Sequence, residues 1–245
     1  MEERTEGMSE ENGKAEELEK QERLEKPEEA AKQEKKVSVV IPCYNVERYI
    51  DRCIHSLTVQ TIGVESLQLI FVDDASTDRT VRKLRYWQAK YPDSIEVYCL
   101  PENRRQGGAR NEGLRHVSAN AVGFVDSDDW VAPDMYERLY ETLLREQCDF
   151  VSCCQKRAFD ASAPLDPHAR EDRRIVVHSE EERKEFLLEK LPGGACSGLF
   201  RREFLEECAP AFPEGTAYED NYWIAMVKLG TCLFYTSPRP RDRQQ

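Results

Sequence analysis

The chain predicts an α/β fold: a mostly parallel, Rossmann-like sheet covered by helices on both faces and joined by right-handed crossovers. Strand and helix patterns alternate four times between Val37 and Leu143, with short links. Three of the strand patterns are apolar, β-branched runs, as expected of strands buried on both faces. Two of these runs end directly in acid: Leu69-Ile70-Phe71-Val72 in Asp73-Asp74, and Ala121-Val122-Gly123-Phe124-Val125 in Asp126-Ser127-Asp128-Asp129. In an open α/β sheet, ligands bind beyond the carboxyl ends of the strands. Acids placed there cost solvation and repel one another, so a ligand or a cation is the reason to expect for them.

Residues 1–36 carry thirteen Glu and eight Lys or Arg, and almost no apolar groups beyond Leu18 and Leu24. Pro27 interrupts any helix, and no apolar face exists to bury. A solvated tail, disordered or partly helical, is expected. At Val37 the texture changes. Val37 to Ile41 reads as a strand closed by Pro42, and Tyr44-Asn45 forms the turn. Ile50, Cys53, Ile54 and Leu57 then mark a helix face. A strand at 67–72 precedes a helix from about Arg79 to Tyr91, and a strand at Ile95 to Leu100 precedes a helix from Gly107 to Val117. Ala121 to Val125 is a strand, Tyr136 to Leu143 a helix, and Asp149 to Gln155 a further strand. Residues 158–175 predict an irregular excursion. Ser179 followed by three Glu starts a helix to about Lys190. Glu219-Asp220 begins the last helix, with Trp223, Met226 and Val227.

Composition excludes some classes. The net charge is −12, of which −5 lies in residues 1–36. That balance argues against sequence-independent nucleic-acid binding, which needs a basic face. The nine cysteines are odd in number, scattered and without C-x-x-C, which predicts reduced thiols of a cytoplasmic protein. No apolar run reaches the roughly 20 residues that cross a bilayer. The acidic N-terminus lacks the apolar core of a signal peptide. Peripheral association with the inner face of a membrane stays open.

The chemistry-bearing residues follow from the strand ends. Asp73-Asp74 sits in a strand-to-helix turn where Ser76, Thr77 or Asp78 could cap the next helix. Capping leaves Asp73 and Asp74 unexplained, and an acid there can accept hydrogen bonds from a nucleoside. Asp126-x-Asp128 suits a hard divalent cation, since Mg²⁺ and Mn²⁺ take one or two carboxylates plus substrate phosphates. Such a cation neutralises a departing diphosphate. Gly107-Gly108 opens a helix in the manner of a phosphate-binding turn, with Arg110 in reach of a phosphate. Arg104 and Arg105 read as solvent-exposed. Glu219-Asp220 alone would be an ordinary helix start, but beside a nucleotide and a metal it supplies a candidate general base.

Five blocks in order, VSVVIPCYNVERYIDR, LIFVDDASTDRT, GGARNEGL, FVDSDDW and YEDNYW, resemble the family 2 glycosyltransferases of GT-A fold, from about Val37 to Gly230. The resemblance implies transfer of a sugar, with inversion, from a nucleotide-sugar donor, usually a UDP-sugar, to a glycan or lipid-linked acceptor. It implies a nucleotide-sugar half at 37–130 and an acceptor-side half at 131–230. Pro42, Tyr44 and Asn45 would line the nucleoside pocket and Asp74 would contact the base. Arg110 would approach the diphosphate, Asp126 would hold the ribose or a metal-bound water, Asp128 would ligate Mn²⁺ or Mg²⁺, and Asp220 would be the base. Glu219 and Trp130 fall on the acceptor side. Three departures stand out. Arg105 replaces a frequent Gly, and Gly198 replaces a frequent Lys. The chain also stops about 25 residues after Asp220, with Tyr235 to Gln245 unlike the family. An acceptor-side region that looks truncated is therefore expected, with residues 231–245 as an atypical tail. Two other functions fit parts of the pattern: a catalytically weak nucleotide-sugar-binding fragment that acts as an interaction module, and a sugar nucleotidyltransferase. The latter expects a Gly-rich basic N-terminal loop, which Pro42-Cys43-Tyr44-Asn45 does not match.

Overall fold

A computed structural model describes residues 34–157, 173–176, 179, 181–182, 184–185, 194–230 and 233–243. Its strands are β1 (Val37–Cys43), β2 (Leu67–Asp73), β3 (Ile95–Cys99), β4 (Ala121–Phe124), β5 (Phe150–Arg157), β6 (Arg173–Val176), β7 (Gly198–Arg201) and β8 (Leu233–Arg243). They form one sheet in the order β3-β2-β1-β4-β7-β5-β8-β6. The half that carries the acid turns, β3-β2-β1-β4, is wholly parallel. β7 runs antiparallel between β4 and β5, β8 is parallel to β5, and β6 is antiparallel to β8.

Both faces of the inner strands are covered, which is why β1, β2 and β4 read as largely apolar runs, whereas the edge strand β3 alternates buried with part-exposed residues. Successive side chains alternate between two cores. Val39, Ile41, Leu69 and Phe71 pack with α1 (Ile50–Thr58), α2 (Thr80–Lys90) and α4 (Met135–Glu146). Val40, Ile70, Val72 and Phe124 pack with α3 (Arg105–Leu114), α5 (Arg202–Cys208) and α6 (Glu219–Gly230). On the second face Trp223 of α6 lies flat on Phe212, 4.4 Å between centroids, and meets Phe124 edge-on at 5.4 Å. Such pairs contribute about 0.5–1.5 kcal/mol each beyond burial, and they seat α6 against β4.

Four sequence expectations change. β1 does not close at Pro42 but runs to Cys43. The Val40 carbonyl accepts the Val125 N–H, and β4 pairs no further along β1 than Val40. Pro42 would direct an N–H to that same unpaired side, so its missing donor costs the ladder nothing. α3 starts at Arg105, placing Gly107 and Gly108 inside the helix and not ahead of it. Most of the expected excursion at 158–175 lies outside the described residues, and Arg173–Val176 is strand β6. Tyr235 to Arg243, expected as a foreign tail, belongs to β8, whose register with β5 jumps between Ser237 and Pro240. That irregularity absorbs the proline-containing segment.

The expected tail at 1–36 lies outside the described residues except for its last three, where the Lys35 ammonium donates to the Glu65 carbonyl at 2.8 Å. Within the expected helix at 179–190, Ser179 and Glu182 cap each other reciprocally. Cys43, Cys53, Cys99, Cys148, Cys153, Cys196 and Cys208 form no disulfide with one another. No helix of the described residues is long and apolar enough to cross a membrane.

Candidate active site

The loops after β1 and β2 are locked together before any ligand arrives. Asn45 adopts a left-handed φ of 51° and Ala75 one of 60°; asparagine tolerates this conformation because its short amide bonds locally. Its Oδ1 accepts the Thr77 N–H at 2.8 Å, and its own N–H donates to Ser76 Oγ at 2.9 Å. Pro42 is buried beneath this turn, while Tyr44 is exposed. Asp73 is buried and turns back to accept the Ser76 N–H at 3.0 Å, while its Oδ1 has no hydrogen-bond partner among the described residues.

Asp74 is buried too, and it reaches across to the next segment, where Oδ1 accepts the Arg104 N–H at 2.7 Å. Burial pushes its carboxyl above the ordinary range, with the backbone N–H groups of Arg104 and Arg105 pulling back and the Asp73 charge adding to the rise. Arg105 holds a φ of 62°. This is the position at which the family resemblance expects glycine, and the left-handed backbone explains that preference.

The centre of the site is Arg110, only 2% exposed. Its Nη2 donates to Asp126 Oδ1 at 2.8 Å, and its Nη1 donates to Glu219 Oε1. Cys196 adds a third partner: its thiol lies 3.0 Å from the same Asp126 oxygen and 3.6 Å from Arg110 Nη2. Burial alone would drive the guanidinium toward its neutral form. The Cys196, Asp126, Glu219 and Asp220 charges outweigh that and raise its pKa above the usual arginine value. Phe212 lies beneath the cation, 5.5 Å from its centre. Arg110 therefore joins the acid turn after β4 to the first residue of α6.

Further contacts fasten the same helix to the segment before α6. The Asn111 side chain brackets Phe212, accepting its N–H at 2.8 Å and donating to its carbonyl at 2.9 Å. Arg104 pairs with Glu214, holding that carboxyl below its ordinary range. A Cβ on Gly107 would lie 2.1 Å from the Pro213 carbonyl oxygen. Gly107 thus permits a close approach between α3 and the 213 loop.

In the acid turn, Asp126, Ser127 and Asp129 are buried and Asp128 is exposed. Trp130 is buried with the Arg52 guanidinium stacked on its ring. Asp220 is half-buried, and its carboxylate lies so close to Gly194 that a Cβ there would sit 2.3 Å from Oδ2. The structure thus brings Arg110, Asp126 and Glu219 into contact, with Asp220 alongside. Pro42, Tyr44, Asn45 and Asp74 stand on the neighbouring strand ends. Among the described residues no three His, Cys, Asp or Glu side chains cluster as a complete metal site. Sequence reading overlooked Cys196, Asn111, Glu214 and Arg52. Asn111 and Arg52 stand within the matched blocks, whereas nothing in the local sequence of Cys196 or Glu214 announces their partners.

Residues 38–208 match glycosyl transferase family 2. The uncharacterized glycosyltransferase EpsJ of Bacillus subtilis is 31% identical over 188 residues, 76% of this chain and 53% of that protein. The minor teichoic acid biosynthesis protein GgaB, also of B. subtilis, is 39% identical over 102 residues, 42% of this chain and 11% of that protein. The S. aureus TarS 1–349 structure with UDP-GlcNAc superposes with a TM-score of 0.71 at 23% identity, covering 86% of this chain and 58% of that one. The chain spans between 11% and 58% of the length of these proteins. The strand-end acids, the order of the blocks and the sheet topology agree with the match, and the chain belongs to glycosyl transferase family 2.

Proposed function

We propose that the chain is an inverting glycosyltransferase that moves a sugar from a nucleotide-sugar, most readily a UDP-sugar, to an acceptor hydroxyl in cell-surface polysaccharide or related glycan synthesis. The observation that carries this reading is the meeting of the β4 acid turn and the start of α6 on one buried guanidinium, Arg110. This puts the acids of the donor side and the acid of the acceptor side on a common mount. The UDP donor is supported by the UDP-GlcNAc complex of the fold neighbour, and the polymer context by the teichoic acid relative.

In this reading the β1 and β2 end loops receive the nucleoside, with Asp74 facing the base and Pro42, Tyr44 and Asn45 walling the pocket. Asp128, the exposed acid of the turn, and Asp126 form a two-carboxylate donor set suited to Mn²⁺ or Mg²⁺ completed by phosphates. When bound, that cation supplies charge neutralisation for the leaving diphosphate. Asp220 takes the proton from the acceptor hydroxyl. The oxygen attacks the anomeric carbon as the bond to the diphosphate oxygen breaks, and the nucleoside diphosphate leaves with the electron pair. One displacement inverts the centre, and no nucleophilic side chain is needed. Arg110, whose two terminal nitrogens are engaged by carboxylates, acts by fixing Asp126 and Glu219.

UDP release from a panel of UDP-sugars with Mn²⁺ or Mg²⁺ and mixed acceptors tests this. Asp220→Asn is expected to lower turnover by about 10²–10⁴-fold, the span of general-base contributions, with UDP affinity retained. Undiminished turnover in that variant, or no release from any donor by the wild type, would sink the reading.

A further inference from the structure

The cations around the acid turns are mostly committed: Arg110 to Asp126 and Glu219, Arg104 to Glu214. Arg52 on α1 is arranged differently. Its guanidinium carbon lies 3.3 Å above the centroid of the Trp130 ring, and while the Arg52 backbone N–H donates to the Tyr49 carbonyl at 3.0 Å, the guanidinium pairs with no carboxylate among the described residues. The neighbouring acid, Asp51, is taken by Lys83 and by the Trp87 indole N–H. A guanidinium lying flat on an aromatic ring keeps its N–H donors in the rim of its plane, so stacking fixes the cation without using its hydrogen-bonding capacity. The side chain is half-buried, which also limits its freedom to swing away.

The ring beneath it stands two residues beyond Asp128. α1 and the residues just after it are fastened to this turn and its continuation at three levels. The Cys53 thiol approaches the Asp126 carbonyl at 3.8 Å, the Val131 N–H donates to Ser56 Oγ at 3.1 Å, and Gln60 Nε2 donates to the Ala132 carbonyl at 2.7 Å. The Arg52 fork is therefore held in a fixed relation to the acid turn. A planar fork with its donors unused is complementary to an oxyanion that accepts two parallel hydrogen bonds. The adjacent carboxylate, Asp51, is engaged by Lys83 and Trp87 instead.

We propose that Arg52, seated on Trp130, binds a phosphoryl group at the rim of the donor site. This rests on the glycosyltransferase reading above. The phosphoryl oxygens belong either to the diphosphate of the donor or to a phosphate carried by the acceptor.

The test uses the full chain with a ¹⁵N-labelled arginine side-chain spectrum, assigned through Arg52→Gln, and calorimetric affinities for UDP and uridine in Mn²⁺. If the donor diphosphate is the ligand, Arg52→Gln weakens UDP about tenfold or more, the scale of one charge-assisted contact, and leaves uridine unchanged. If the acceptor phosphate is the ligand, UDP affinity holds. The Arg52 signal then shifts when glycerol 3-phosphate is added to UDP-loaded protein. Arg52→Lys keeps the charge but loses the flat fork and is expected to recover only part of either effect. The proposal is overturned if UDP, pyrophosphate, inorganic phosphate and glycerol 3-phosphate all leave the Arg52 signal unmoved and Arg52→Gln binds UDP like wild type. A wild type that binds no UDP would defeat the glycosyltransferase reading instead; a shift of the Arg52 signal by pyrophosphate or phosphate would still uphold this inference, and no shift would end it.

Discussion

Arg110 is stable where it sits only because its charge is answered twice. Removing an ion from water costs several kcal/mol even after relaxation, and only good pairing geometry offsets it. Asp126 and Glu219 supply that geometry, and the Phe212 ring closes the cation from below. Arg110→Met would leave two buried carboxylates facing each other. The expected loss is about 3–5 kcal/mol of folding stability, measured by urea denaturation. Adding Glu219→Leu to it should cost less than the sum of the two single changes, because the partners act as one unit. The sequence displays an arginine on a first helical turn, and from that alone a phosphate ligand is the natural expectation. That Asp126, 16 residues away, and Glu219, 109 residues away, converge on it is a fact of tertiary packing that no local pattern carries. Cys196 is hidden for the same reason.

At the scale of elements, α3 shows what the sequence reveals and what it withholds. Its two glycines are visible in the sequence, but their use is not. They read as a phosphate turn, whereas the structure places them within the helix, Gly107 beneath the Pro213 carbonyl and Gly108 against the Arg104 side chain. The strained residue, Arg105, lies two positions before Gly107. Arg105→Gly should relieve a left-handed conformation that disfavours side chains by about 1–2 kcal/mol, less the extra entropy glycine loses on folding. A net gain near 0.5–1 kcal/mol is expected, seen as a higher midpoint in thermal unfolding. Nucleotide binding should be unaltered, since the Asp74 bond is to the Arg104 backbone. β1, β2 and β4 were legible because burial on both faces writes a largely apolar run, and the edge strand β3 by its alternation. β7, only four residues long and starting at Gly198, offers no such run. β8 carries prolines and arginines that argue against a strand, and its pairing with β5 and β6 is set by tertiary context.

For the whole molecule, the described core lies between Val37 and Val227. The acidic leader holds few apolar groups with which to add to that core. Deleting residues 1–33 is therefore expected to leave the melting temperature within about 2 °C, since less than about 0.5 kcal/mol should be lost, and UDP affinity unchanged. Differential scanning fluorimetry with and without UDP and Mn²⁺ checks both. The α/β architecture was readable from periodicity alone. The mixed outer half was not, since its pairings join segments that are distant in the chain.

The tie between Arg110 and Glu219 also has a consequence for vectorial synthesis. A ribosome adding about 5–20 residues per second needs roughly 5–20 s to travel the 109 residues between them. For that interval the emerging parallel sheet carries an arginine bound for its interior, and a face of Val40, Ile70 and Phe124 not yet roofed by Trp223. The nascent domain is therefore most exposed to aggregation, and most in need of a chaperone, while α6 is still being made.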